Sequence, residues 1–128
     1  NDTFKRSLKR VCGIKRVYSY YGMVEQTGSI FIECEAGYLH SSIFSDVIMR
    51  RTDFSVCDMH EKGLVQLVSL LPLSYPGHSI LSEDTGEIVG EDDCSCGRLG
   101  RYFKIHGRVK NAEIRGCGDV YASDASKG

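Results

Sequence analysis

The stretch Tyr21-Gly22-Met23-Val24-Glu25-Gln26-Thr27-Gly28 decides how this chain is read. It is a glycine-punctuated turn behind the β-prone run Val17-Tyr18-Ser19-Tyr20. It sets one carboxylate, Glu25, just past the end of a strand. Open sheets of the α/β type hold their ligands at that end. A carboxylate there suits a hard cation such as Mg2+, which binds one or two carboxylates together with substrate phosphates. Gly22 lacks a Cβ and lets backbone approach a flat ligand closely.

Upstream of this turn, Asp2 or Thr3 caps a short helix. Phe4, Leu8 and Val11 recur at i, i+4 and i+7, which gives that helix one apolar face, and Gly13 ends it. Downstream, residues 29–34 read as a strand and Glu35-Ala36-Gly37 as a turn. Residues 45–50 form a further strand, and Glu61-Lys62-Gly63 turns into the most β-like run, 64–71. Both prolines lie in the loop 72–77. Residues 79–82 and 87–89 pair as a hairpin around Asp84-Thr85-Gly86. A polar, cysteine-bearing loop spans 90–100, a last strand spans 102–109, and 122–128 is a disordered tail after a domain covering 1–121. One helix and six or seven strands make an α+β fold, mostly antiparallel β. The helix and first strand have no partner strands of their own in this reading.

The chain has 128 residues, 16 basic and 17 acidic, with a net charge of −1. That balance does not point to nucleic acid or a membrane surface. The basic side chains Lys5, Arg6, Lys9, Arg10, Lys15 and Arg16 read as a solvated helix face, since no stacking aromatics are interleaved with them. The first 30 residues contain no apolar core of a signal peptide, and no run is long enough to span a bilayer. Six cysteines are too sparse for a disulfide scaffold, so the expectation is a cytoplasmic protein with reduced thiols.

Four stretches together resemble a known family: Tyr21 to Glu25, Leu70-Leu71-Pro72-Leu73-Ser74-Tyr75-Pro76-Gly77-His78-Ser79-Ile80, Glu91-Asp92-Asp93-Cys94-Ser95-Cys96-Gly97-Arg98, and Gly107 to Cys117. The first is similar to the YGxTE motif of the acyl-adenylating enzymes. The set, in this order, resembles the acyl-protein synthetases, the fatty-acid ligase component of bacterial bioluminescence and its relatives. The resemblance covers about residues 15–120. It implies ATP-dependent activation of a carboxylic acid as acyl-AMP, with Mg2+ at Glu25. It places Tyr21 and Gly22 near the adenine, Asp84 on the ribose hydroxyls, Arg108 beside ribose and phosphate, and Lys110 at a hinge. It also implies that the chain is the C-terminal part of the large domain of a longer enzyme: a β-barrel-like subdomain plus a fragment of an α/β sheet, incomplete as a fold. The phosphate loop would lie upstream, and the isolated chain would be inactive. The raw strand edge then invites homo-oligomers. The short stretch after Lys110 leaves no room for a mobile lid, as in the acyl-protein synthetases.

The thiols carry two further readings. Cys117 lies between Gly116 and Gly118, with Arg115 near enough in sequence to favour thiolate. The resemblance makes it the residue that accepts the acyl group and passes it to an acyl reductase partner; the competing reading is an inert loop residue. Cys34, His40, Cys94 and Cys96 offer a Cys3His set for a structural Zn2+, against a buried Cys34 with two surface thiols. Cys12 and Cys57 read as core fillers. Two other functions stay open: a phenylacetate-CoA-ligase-like acyl-CoA synthetase, and a non-catalytic zinc-stabilised β binding module.

Overall fold

The computed structural model describes residues 2–109. Among them are one α-helix, one 3-10 turn and seven strands. Helix α1 is Asp2–Cys12. Gly13 follows it at φ +65°, the left-handed conformation that ends helices and that glycine adopts without a Cβ penalty. Its apolar face is only partly covered by the described residues: Leu8 is half-buried, but Phe4 is 64% exposed and Val11 76%. Lys5 instead ties the helix to the sheet by pairing with Glu33. Cys12 is exposed, so it is not the core filler its neighbours suggested.

The strands are β1 (Tyr20–Gly22), β2 (Ile30–Glu33), β3 (Leu39–His40), β4 (Ser45–Arg50), β5 (Gly63–Ser69), β6 (Ser79–Glu91) and β7 (Arg101–Arg108). They join in one sheet of order β1-β2-β3-β7-β6-β5-β4, and every pair is antiparallel. Among the described residues the expected fragment of α/β sheet is not seen. β1 starts shorter and later than the β-prone run suggested, and it is not without a partner: Tyr20, Tyr21 and Gly22 pair with Ile32, Phe31 and Ile30. β3 was not foreseen, because two residues carry too little periodicity to read.

The sheet curls into an open half-barrel. Phe31 on β2, Phe103 on β7, Val65 and Leu67 on β5, and Val47 and Met49 on β4 share one buried cluster. In a flat sheet β2 and β5 would lie about 19 Å apart, four strand spacings. Curling brings their inner faces together. β5 alternates buried and half-buried residues along its whole length, as a strand with one core face must. Phe31 and Phe103 meet edge to face with centroids 5.3 Å apart.

The expected hairpin at residues 79–89 is replaced by one continuous strand of 13 residues. Ser79 to Gly86 pair with β5, while Asp84 to Glu91 pair with β7. Asp84-Thr85-Gly86 has turn composition, yet it marks where β6 is shared by both neighbours. A Cβ on Gly86 would come 2.5 Å from the Lys104 carbonyl oxygen, 3.1 Å from Met49 and 3.2 Å from Val65. The register against β7 shifts between Thr85 and Gly86. Glycine here serves a bulge and a close backbone approach, not a reversal.

Candidate functional site

Glu25 sits in the 3-10 turn Val24–Gln26 that directly follows β1. Asp84 is on β6 and Arg108 ends β7, and these two are directly paired across the ladder. Glu25, Asp84 and Arg108, so distant in sequence, line one cavity of about 660 Å³. Gly22, Met23, Ser82 and Glu83 share that lining. The volume lies within the range of pockets that enclose a cofactor-sized ligand.

The carboxylate of Asp84 is held from two sides. The Tyr21 hydroxyl donates to its Oδ2 over 2.7 Å. Arg108 Nε approaches its Oδ1 at 3.7 Å. The Asp84 amide donates to Ser82 Oγ at 3.2 Å, and Ser82 in turn donates to the Val65 carbonyl at 2.9 Å. Burial, and then the bond to Asp84, hold the Tyr21 phenol protonated far above its ordinary range. Tyr21 also has a structural task. Its ring leans on Phe31 at 6.3 Å and its hydroxyl serves Asp84, while Gly22 and Met23 face the cavity.

The 3-10 turn lacks a side-chain cap at Met23, and three residues cannot hold themselves in shape. Support comes from residues the sequence reading passed over. The Tyr75 hydroxyl donates to the Glu25 carbonyl at 2.7 Å and accepts the Thr27 amide at 3.2 Å. The buried Gln26 side chain donates to the Gly77 carbonyl at 2.8 Å. Tyr75 and Gly77 belong to the Pro-rich segment singled out above, so the signal was present without its meaning.

A second constellation lies around the β2–β3 turn and the loop after β6. Cys34, His40, Cys94 and Cys96 each offer a ligand atom, and all four atoms lie within 4.8 Å of one another. Cys34 Sγ and Cys94 Sγ are 4.0 Å apart, and Cys96 Sγ is 3.4 Å from His40 Nε2. A tetrahedral zinc with ordinary Zn–S and Zn–N bonds separates its ligands by about 3.8 Å for S···S and about 3.5 Å for S···N. The donor set and spacing fit such an ion. Cys34, His40 and Cys94 are buried, and His40 Nδ1 has no hydrogen-bond partner among the described residues.

The electrostatics suit a cation. Burial, then the charge of Arg98, lower the His40 pKa and favour the neutral imidazole that ligates metals. Burial pushes the Cys94 thiol up to about 11, whereas at Cys96 burial is outweighed by the Arg98 amide and the neighbouring thiols, which lower the thiol below its ordinary value. Three thiolates with one divalent ion leave one net negative charge. Arg98 stands beside it, with its amide 3.5 Å from Cys96 Sγ. Tyr102 stacks on His40 at 5.6 Å and donates to Asp93 at 2.8 Å, which ties the cysteine loop to β7.

Lys110, Cys117 and the tail at 122–128 lie outside the described residues. Among the described residues, no helix is long and apolar enough to cross a membrane. None of the curated proteins compared matches the chain significantly. A family model described as Acyl-protein synthetase, LuxE, matches residues 1–125. That match spans nearly the whole sequence, and the chain belongs to the LuxE acyl-protein synthetase family.

Proposed function

We propose that this chain supplies the nucleotide-facing part of an ATP-dependent acyl-protein synthetase. The parent enzyme activates a carboxylic acid, a fatty acid in the family reading, as acyl-AMP and transfers the acyl group to Cys117. The observation that carries this reading is the meeting of Glu25, Asp84 and Arg108 around one cavity, in a chain of this family. Asp84 is acceptor-only when ionised and suits the two ribose hydroxyls. Its hold by Tyr21 and Arg108 keeps an oxygen in place for them. Arg108 offers planar donors to ribose and phosphate oxygens. Glu25 would hold Mg2+, which supplies charge neutralisation at the phosphates. The acid's carboxylate oxygen then bonds to the α-phosphorus and pyrophosphate leaves with the electron pair of the broken P–O bond. The thiolate of Cys117 next displaces AMP, which splits one hard transfer into two easier ones.

The Cys3His set would hold a structural Zn2+ that fixes the loop bearing Arg98. Closed four-ligand sites of this type serve folding, not chemistry. The five described cysteines are free thiols, which suits a reducing cytoplasmic setting. An acyl reductase would take the acyl group from Cys117. Catalysis in this reading also calls for a phosphate loop, which a longer protein would supply, and the edge strand β1 is where that protein or a second copy would add.

The test is acid-dependent ATP–pyrophosphate exchange by the full-length protein. Asp84→Asn should lower exchange by about 10²-fold, the cost of a lost charge-assisted partner at a binding site. Unchanged exchange removes Asp84 from the nucleotide site. Cys117→Ser should keep exchange and lose acylated protein. Thioester formation on CoA by that variant would favour the phenylacetate-CoA-ligase-like reading instead.

A further inference from the structure

The segment from Leu71 to His78 carries none of the ligand-binding residues above, yet it reaches across the fold to the turn that carries Glu25. Two independent contacts join them. The Tyr75 hydroxyl bridges the turn, donating to the Glu25 carbonyl at 2.7 Å and accepting from the Thr27 amide at 3.2 Å. From the other side, the fully buried Gln26 amide donates to the Gly77 carbonyl at 2.8 Å. The segment is itself shaped for this. The Gly77 amide donates to the Tyr75 carbonyl at 2.8 Å, and a side chain on Gly77 would collide with the Tyr75 ring. Only glycine lets the backbone fold tightly enough against that ring to aim the hydroxyl at residue 25.

We propose that Tyr75 and Gly77 form a clamp that sets the position of Glu25, with Tyr75 as a positioning residue for the metal-binding carboxylate. The need for it is physical. A three-residue 3-10 turn without a side-chain cap does not hold its geometry, whereas a metal-binding oxygen must be placed to within a few tenths of an ångström. The backbone of residues 25–27 is fixed from outside, at a point where Glu25 lines the cavity. The clamp rests on the reading of Glu25 as the Mg2+ carboxylate given above.

The experiment is calorimetric titration of the full-length protein with ATP, once with excess Mg2+ and once with EDTA. The ratio of the two affinities is the part of binding that runs through the metal. Tyr75→Phe keeps the ring and removes both hydrogen bonds. It should cut that ratio about fivefold to tenfold, the scale of one to two neutral hydrogen bonds, and leave the EDTA affinity within twofold. Gly77→Ala keeps the Tyr75 hydroxyl but displaces the ring that carries it, and should reduce the ratio in the same direction. Glu25→Gln should abolish the ratio. If Glu25→Gln abolishes it while Tyr75→Phe and Gly77→Ala leave it intact, the clamp is overturned and the site reading stands. If Glu25→Gln leaves it intact, the assignment of Mg2+ to Glu25 falls, and the clamp falls with it. A merely structural role for Tyr75 lowers both affinities together, and that outcome also overturns the proposal.

Discussion

The hydroxyl of Tyr21 on β1 reaches Oδ2 of Asp84 on β6 over 2.7 Å, and so joins strands at separate places in the sheet order. The bond does two things. It links the Glu25 turn to the long strand, and it fixes one oxygen of a carboxylate whose other oxygen faces Arg108. Tyr21→Phe should cost about 1.5–3 kcal/mol of stability, the range for a partly buried hydrogen bond to a charged acceptor. Urea unfolding monitored by circular dichroism measures it. A loss below a few tenths of a kcal/mol would show that the bond contributes nothing to the fold.

The cysteine site predicts a metal stoichiometry. Purified protein should carry about one equivalent of zinc by elemental analysis. Cys94→Ser should release it and lower the thermal midpoint. Binding should weaken as pH falls, because each ligating thiolate must give way to a thiol. Burial raises the Cys94 thiol to about 11, which makes metal loading of that residue release a proton at neutral pH. Protein free of zinc with an unchanged midpoint would remove the site.

Helix α1 predicts an acid transition of its own. Burial alone would raise the Glu33 pKa, but the Lys5 ammonium and the Ser19 amide outweigh it and bring it below the ordinary value of 4.5. The native pKa is the depressed one, so the stabilisation is fully present above the ordinary carboxylate range. It is lost as pH falls through the native value. Helical signal should therefore drop between about pH 5 and the native pKa, before the sheet unfolds. Glu33→Gln should remove that phase, and its persistence in the variant would assign it elsewhere.

Gly86 offers a test of the continuous strand. Gly86→Ala puts a methyl carbon 2.5 Å from the Lys104 carbonyl, a contact that backbone must move to relieve. The expected cost is about 1–3 kcal/mol, as for overpacking. Denaturant unfolding measures it, and a loss below a few tenths of a kcal/mol would show that residue 86 does not stand against that carbonyl.

Much of this fold was legible because its signals are local. Ser45–Arg50 and the β5 run are short stretches rich in β-prone apolar residues, and Gly13 and Gly37 sit at positive φ where a helix end and a turn were expected. The hairpin error came from the same local logic. Asp84-Thr85-Gly86 has the composition of a turn, and only the neighbouring strands reveal that Gly86 answers to the Lys104 backbone. The Cys3His set could be assembled from residue types, but its spacing of ligand atoms depends on β3, too short to foresee. Tyr75 lies in one of the family-like stretches, but nothing local to it assigns a task. Its partners lie fifty residues away in sequence, at Glu25, where no pattern in the chain points.

The central claim is that Glu25, Asp84 and Arg108 face one nucleotide. Hydrogen exchange of the full-length protein with and without Mg2+ and ATP tests it most directly. Protection should rise together at residues 22–25, 80–84 and 108, the three places that line the cavity. Protection confined to other segments, with these three unchanged under saturating ATP, would contradict the account.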